Sequence, residues 1–264
     1  MNIFLFELKS HLKSFALWSL GLLFLIYSSM AKLRAYEESG ESINGIFEKM
    51  PAIFKAMFGI SNFDLSTAKG FFAMVFLYIL LLAAVYAAIL GAEIVSKEAR
   101  DKTNEFLLSK PISRKKILLE KSLAGLSITI AFWLISILSS VFIVDIFNKG
   151  APITKDIWYL SFGLLVVQIF FYSLGLFIGS SIKQSKLAPS VSSGAVLFCY
   201  FAFVIYKLNP ELDILKFVTP FEIFDANNIL VSGYSYLNTA IYFLVFIIFT
   251  VLAFLAYQNK EQLF

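Results

Sequence analysis

Few side chains in this sequence are of types that do chemistry, and their spacing removes most of the chemistry they suggest. Its 264 residues include one His and one Cys. A zinc site or a Ser-His-Asp relay needs several such groups to converge. His11 therefore reads as a solvated residue, and Cys199, inside an apolar run, as a small buried hydrophobe. One cysteine also excludes a disulfide framework. No G-x-x-x-x-G-K-[ST] stretch is present to cradle phosphates, and neither H-E-x-x-H nor G-x-S-x-G occurs. With no metal ligands and no nucleotide cradle, what remains is charge. The stretch EARDKTNEFLLSKPISRKKILLEK, residues 98–121, carries 11 of the 40 charged side chains.

The elements that must position this charge follow from composition. The chain is 59% hydrophobic and 15% charged, with 30 Phe and 12 Tyr, and its mean hydropathy is +0.80. A soluble domain usually carries about 25% charged residues, so this one lacks the polar groups to cover its surface and belongs in a membrane. Six apolar runs can cross about 30 Å of hydrocarbon: residues 14–30, 71–95, 122–147, 158–182, 189–206 and 238–257. Backbone groups in lipid must be satisfied within the segment, which makes each run a helix. The expected fold is an all-α integral membrane protein with six transmembrane helices. Trp18, Tyr27, Trp158, Tyr159, Tyr206, Tyr242 and Tyr257 fall near the ends of the runs, as interfacial aromatics do. Ser29 and Ala31 form a small-x-small pattern, but Glu7 and His11 interrupt a positive leader and five more spans follow, so the first run reads as a span rather than a cleaved signal.

Six spans put both termini on one side. With that side inward, the inner segments hold 13 of the 22 Lys and Arg, and the longer outer loops hold 9 against ten acids. The positive-inside rule selects this orientation. Residues 1–13 place Phe4, Leu8 and Leu12 on one face and Glu7, Ser10 and His11 on the other, the pattern of an interfacial helix that precedes the first span. In the outer loop of residues 31–70, Ile43, Ile46, Phe47, Met50, Ile53, Phe54, Met57 and Phe58 recur at steps of three and four. That spacing predicts short amphipathic helices interrupted at Pro51. A second outer loop covers residues 207–237; its Glu211, Asp213 and Asp225, like Asp64 in the first, read as solvated charges. Gly175 and Gly179 form one G-x-x-x-G pair, a weak signal of close helix packing.

Within residues 96–121 the second span is expected to run on as a helix, supported by Glu93–Lys97 and Glu98–Lys102 pairs at i,i+4, and to end before Pro111. Ser113 is placed to cap the helix that becomes the third span. That helix begins with Arg114, Lys115 and Lys116. Cations there oppose the helix dipole by about 0.3–1 kcal/mol each, while anionic headgroups return about 1 kcal/mol each, so these three mark the bilayer surface. Phe106, Leu107 and Leu108 are consecutive apolar residues among charges. They either fold back on the bundle or form a knob for a soluble partner. Glu93, at a membrane boundary, needs a counter-charge, and a polar lock to the N-terminal helix through Lys9 or Lys13 would supply one.

The arrangement E-x-x-x-x-T-x-E-x-L-L-S-x-P-I-S-R-x-x-I-L-x-x-K over residues 98–121 resembles the first cytoplasmic loop of ABC transporter permeases of the second type. MPAIFKAMFG (50–59), NFDLSTAKGF (62–71) and FVTPFEIFD (217–225) are similar to outer segments of one branch, in which a Gly often stands where this chain has Lys102. The resemblance implies a single permease domain over residues 1–264, whose loop carries the coupling helix that docks on an ATPase. Glu98, Thr103, Glu105, Phe106, Leu107, Leu108, Pro111 and Arg114 fall on its matching positions; for Glu98 and Arg114, ordinary support of the hairpin is the alternative. It further implies a cytoplasmic ABC ATPase holding ATP and Mg on a separate chain, a second permease subunit, membrane lipid as surroundings, and no nucleic acid. Phe76, Tyr86, Phe198 and Tyr200 are candidates for lining a pathway suited to a lipid-like, peptide or amphipathic cargo, though each also fits core packing or lipid contact. The competing reading is an ATPase-coupled membrane sensor or scaffold that transports nothing. A lipid-modifying membrane enzyme fits poorly, because no catalytic constellation is present.

Overall fold

The computed structural model describes residues 3–39, 42–60, 63–101 and 112–259. Within them no strand occurs, and six helical segments are long and apolar enough to cross a membrane. These are α1 (Ile3–Ser39), α4 (Ala68–Arg100), α5 (Arg114–Phe147), α6 (Thr154–Ser181), α7 (Ala188–Leu208, preceded by a 3₁₀ turn at Ser185–Leu187) and α11 (Tyr236–Asn259). Each contains one of the apolar runs. Short helices join them: α2 (Ile43–Glu48) and α3 (Ala52–Met57) before α4, and α8 (Asp213–Val218), α9 (Pro220–Ile223) and α10 (Ala226–Ser232) before α11. The described helices make a multi-pass membrane protein.

Side-chain caps set several boundaries, as the residue types require. Ser113 Oγ accepts from the Lys116 amide at 3.4 Å, and Thr67 Oγ1 accepts from the Gly70 amide at 3.1 Å. Pro51 separates α2 from α3. One expectation is corrected: residues 3–13 are not a separate interfacial helix. α1 runs unbroken for 37 residues, about 55 Å at 1.5 Å per residue. No Pro lies between Ile3 and Ser39 to break it.

The helices pack in two groups. α4 lies most extensively along α6, with α7 against α4 and α11 against α6, while α1 lies along α5. Glycine makes the α4–α6 approach possible. A Cβ on Gly175 would stand 2.1 Å from the Ala88 carbonyl oxygen, one on Gly179 2.5 Å from that of Ala92, and one on Gly91 2.2 Å from that of Tyr172. The weak G-x-x-x-G signal is thus a true backbone-to-backbone contact. Aromatic rings and two hydrogen bonds bridge the groups. Trp18 of α1 and Phe132 of α5 pack on Tyr86 of α4 at 5.5 and 4.6 Å. The Tyr172 hydroxyl donates to the Ser122 carbonyl at 2.8 Å, and Trp133 Nε1 to that of Ser161 at 2.7 Å.

At the end away from the termini lie two acids expected to be solvated, of which Asp64 is exposed and Asp225 is buried. Asp64 accepts from Asn44 at 2.6 Å and from Ser66 through its amide and hydroxyl. These bonds hold its carboxyl below the usual range. Asp225 is buried and lies 3.4 Å from Lys207, which also pairs with Glu222 at 2.8 Å. Burial pushes the Asp225 carboxyl up to about 6 despite the lysine. α8 and α9 fold back onto α7 while α10 packs on α4 and α6, so Glu222 and Asp225 leave water, whereas Asp64 stays exposed.

Replacing Gly175 by Leu is expected to force α4 and α6 apart and lower stability by at least about 1–3 kcal/mol. Gly194→Leu, where nothing lies within 4 Å of an added Cβ, is expected to be neutral. Thermal unfolding of both variants in detergent, followed by tryptophan fluorescence, checks the contrast.

Candidate functional site

The charge of the hairpin concentrates where its two legs meet α1. Glu7 is 1% exposed and sits between two lysines. Lys121, near the start of α5, donates to Glu7 Oε1 at 2.7 Å, and Lys97, near the end of α4, binds Oε2. Lys121 is itself 1% exposed. It also pairs with Glu98 and donates to the Ile94 carbonyl at 3.0 Å. Three ammonium protons thus meet three acceptors, the full capacity of the group. Lys97 further donates to Ser10 Oγ at 2.7 Å and lies 5.5 Å from the Phe6 ring centre.

Helix geometry explains the arrangement. Lys97 and Glu98 are neighbours on α4, so their side chains diverge by about 100°. One turns to α1 and the other to α5. Ser10 lies one turn from Glu7 on α1 and bonds back to its carbonyl at 2.9 Å. The four principal charges, Glu7, Lys97, Glu98 and Lys121, sum to zero, which is what burial demands. Around them, Arg100 pairs with Glu93 at 3.3 Å and with Asp101 at 3.0 Å, and Arg114 donates to the Gln258 carbonyl at 3.3 Å. The last contact ties α5 to the end of α11.

A polar lock to α1 therefore exists, but not through the residues expected. Glu93 pairs with Arg100 on its own helix rather than with Lys9 or Lys13, both of which are exposed. The expected Glu93–Lys97 pair is also absent, because Lys97 is turned to Glu7. His11 is buried rather than solvated, with Nε2 3.7 Å from Glu7. Sequence reasoning missed Glu7, Lys97 and Lys121 as a unit. The available signal was that Glu7 is the only acid among the first 36 residues. An acid beside a span needs a cation, and the hairpin is where cations concentrate.

Of the residues matched to the coupling loop, Glu98 faces Lys121 and is only 12% exposed, so its carboxylate supports the hairpin from within. Arg114 is half-buried at the start of α5. Thr103, Glu105, Phe106, Leu107, Leu108 and Pro111, with Lys102 and the Glu98–Lys102 pair, lie outside the described residues. The pathway candidates separate. Phe76, Tyr86 and Tyr200 are buried, the Tyr200 hydroxyl donating to the Met57 carbonyl at 2.6 Å, whereas Phe198 is 65% exposed on the perimeter of α7. Among the described residues no three His, Cys, Asp or Glu side chains converge to hold a metal ion. A polar cavity of about 190 Å³ at the far end is lined by Lys55, Gly59, Lys207, Asp225 and Asn227.

Removing one partner of a buried ion pair costs about 3–5 kcal/mol, because a charge is left uncompensated. Glu7→Ala is expected to destabilise the protein by that amount. The double change Glu7→Ala, Lys121→Met keeps the node neutral and is expected to cost less than the single one. Thermal unfolding of both in detergent checks this.

The family model described as ABC-2 family transporter protein matches residues 1–262. No curated protein matches the chain. A model covering nearly every residue shows the family: the chain belongs to the ABC-2 family transporter proteins.

Proposed function

We propose that this ABC-2 family membrane protein is the permease subunit of an ATP-driven exporter. Energy arrives from a cytoplasmic ABC ATPase on a separate chain, which binds ATP and Mg, and the cargo is a lipid-like, peptide or other amphipathic compound. The observation that carries the reading is the buried node of Glu7, Lys97, Glu98 and Lys121. It fastens both legs of the charged hairpin to α1. A hairpin that only crossed the surface would not need its base held by buried charge.

On this reading both termini and the hairpin face the cytoplasm, as the distribution of Lys and Arg favours. Phe106, Leu107 and Leu108 fill a groove on the ATPase, with Thr103, Glu105 and Pro111 shaping the hairpin around them. Glu98 and Arg114 transmit force rather than touch the partner, since Glu98 is bonded to Lys121 and Arg114 to the end of α11. Closure of the ATPases tilts the second and third spans, α4 and α5, together, since the Lys121–Glu98 pair holds their hairpin ends to each other. A second permease subunit, identical or related, completes the pathway.

Copurification with the ATPase of the adjacent reading frame tests the proposal. Wild type is expected to retain the ATPase, and the double variant Phe106→Asp, Leu107→Asp to insert normally but release it. Equal retention would place docking elsewhere, and no ATPase bound to wild type would sink the exporter reading.

A further inference from the structure

The segment of α8, α9 and α10 is held to the bundle by apolar contacts and one charge cluster. Thr219, Phe221 and Phe224 are fully buried. Phe221 packs on Phe171 of α6 and Tyr200 of α7 at 5.7 and 6.0 Å, and Phe224 on Tyr242 of α11 at 5.5 Å. The one cysteine lies beneath the segment. Cys199 of α7 is buried, and its Sγ donates to the carbonyl of Val218, the last residue of α8, at 3.7 Å.

The charge cluster does not balance. Lys207, near the end of α7, pairs with Glu222 of α9 at 2.8 Å and with Asp225, at the start of α10, at 3.4 Å. Among the described residues it is the only cation within 4.0 Å of either acid. The two acids are 6% and 5% exposed. One cation against two buried anions leaves a negative charge unanswered, which burial penalises; the Glu7 node at the other end sums to zero. Neighbouring elements do not make up the difference. Lys55 of α3 lines the same cavity as Asp225 but donates to the Glu48 carbonyl at 2.9 Å. Lys69 of α4 and Asp156 of α6 pair with each other at 3.0 Å.

We propose that Asp225 is a proton site that governs how firmly this segment is held. A proton reaching it through the cavity of about 190 Å³ leaves Lys207 to Glu222 alone and keeps the segment down on α7. Loss of that proton loosens the segment, because local opening brings water to a carboxylate that is costly when buried. Burial sets the direction: it pushes the Asp225 carboxyl up to about 6, with Glu222 adding to the rise. A carboxyl raised in the closed state and ordinary in the open one favours closure in acid, and that preference is lost as pH rises through about 6. Nothing in this switch requires an ATPase, so it stands or falls apart from the exporter reading.

Cys199 is the reporter, as the sole cysteine and the partner of Val218. The full chain in detergent is labelled with methyl methanethiosulfonate and read by mass spectrometry. Each rate is divided by that of a free thiol at the same pH, which removes the ordinary pH dependence of thiolate chemistry. The normalised rate of wild type is expected to rise about tenfold from about pH 5 to about pH 7.5. Asp225→Asn, uncharged throughout, is expected to stay level. A level wild type, or a parallel rise in both chains, overturns the proposal. If Asp225→Asn does not fold, Glu222→Gln carries the test. With Lys207 to itself, Asp225 then gives up its proton more readily and the rise moves to lower pH; a rise that does not move overturns the proposal.

Discussion

An ionised carboxylate held out of water between two lysines fixes the relation of three helices. Glu7 belongs to α1, Lys97 to α4 and Lys121 to α5, and none of these charges is tolerable in its place without the others. The node does not stabilise the chain in the way apolar packing does. Ion pairs lose much of their Coulomb energy to desolvation, and an apolar replacement of similar shape is often as stable. Its contribution is register. It allows one placement of the start of α1 against the two hairpin legs, because only that placement leaves no charge unpaired.

The packing beyond the node divides unequally. α4 and α6 approach so closely at Gly91, Gly175 and Gly179 that an added methyl would enter the facing backbone. α1 and α5 pack along their own length. What joins the two groups is the charged node at one end and, along the rest of their length, aromatic rings around Tyr86 and Phe132 with hydrogen bonds to backbone carbonyls. Rings can slide and single hydrogen bonds can exchange, whereas interlocked backbones cannot.

The far end shows the same economy of charge. Lys207 answers both Glu222 and Asp225, and Asn228 bonds to Glu222 at 2.9 Å through its side-chain oxygen and at 2.6 Å through its carbonyl. Burial, with Glu222 sharing the same lysine, leaves Asp225 with its carboxyl raised toward neutral pH. At the hairpin end each acid has a lysine of its own. The two ends thus hold charge differently, balanced where the legs are fastened and acid-rich where the short helices fold over α7.

The sequence alone determined the six helices, because length and apolarity decide whether a segment can span hydrocarbon and the backbone then has no alternative to a helix. It also located the charged stretch between α4 and α5, the Ser113 cap and the family, since those are local patterns of residue types. Tertiary structure decided which charges meet. Glu93 and Glu98 looked alike in sequence, each at i,i+4 to a lysine, yet one closes on Arg100 of its own helix and the other on Lys121 of α5. His11 and Asp225 read as solvated, and Glu7 as part of a polar helix face, yet all three are buried in the fold, while Asp64 stays exposed. A side chain's solvation depends on what packs over it. For Glu7 those neighbours come from residues 90 and 114 positions away, a separation that no local spacing encodes.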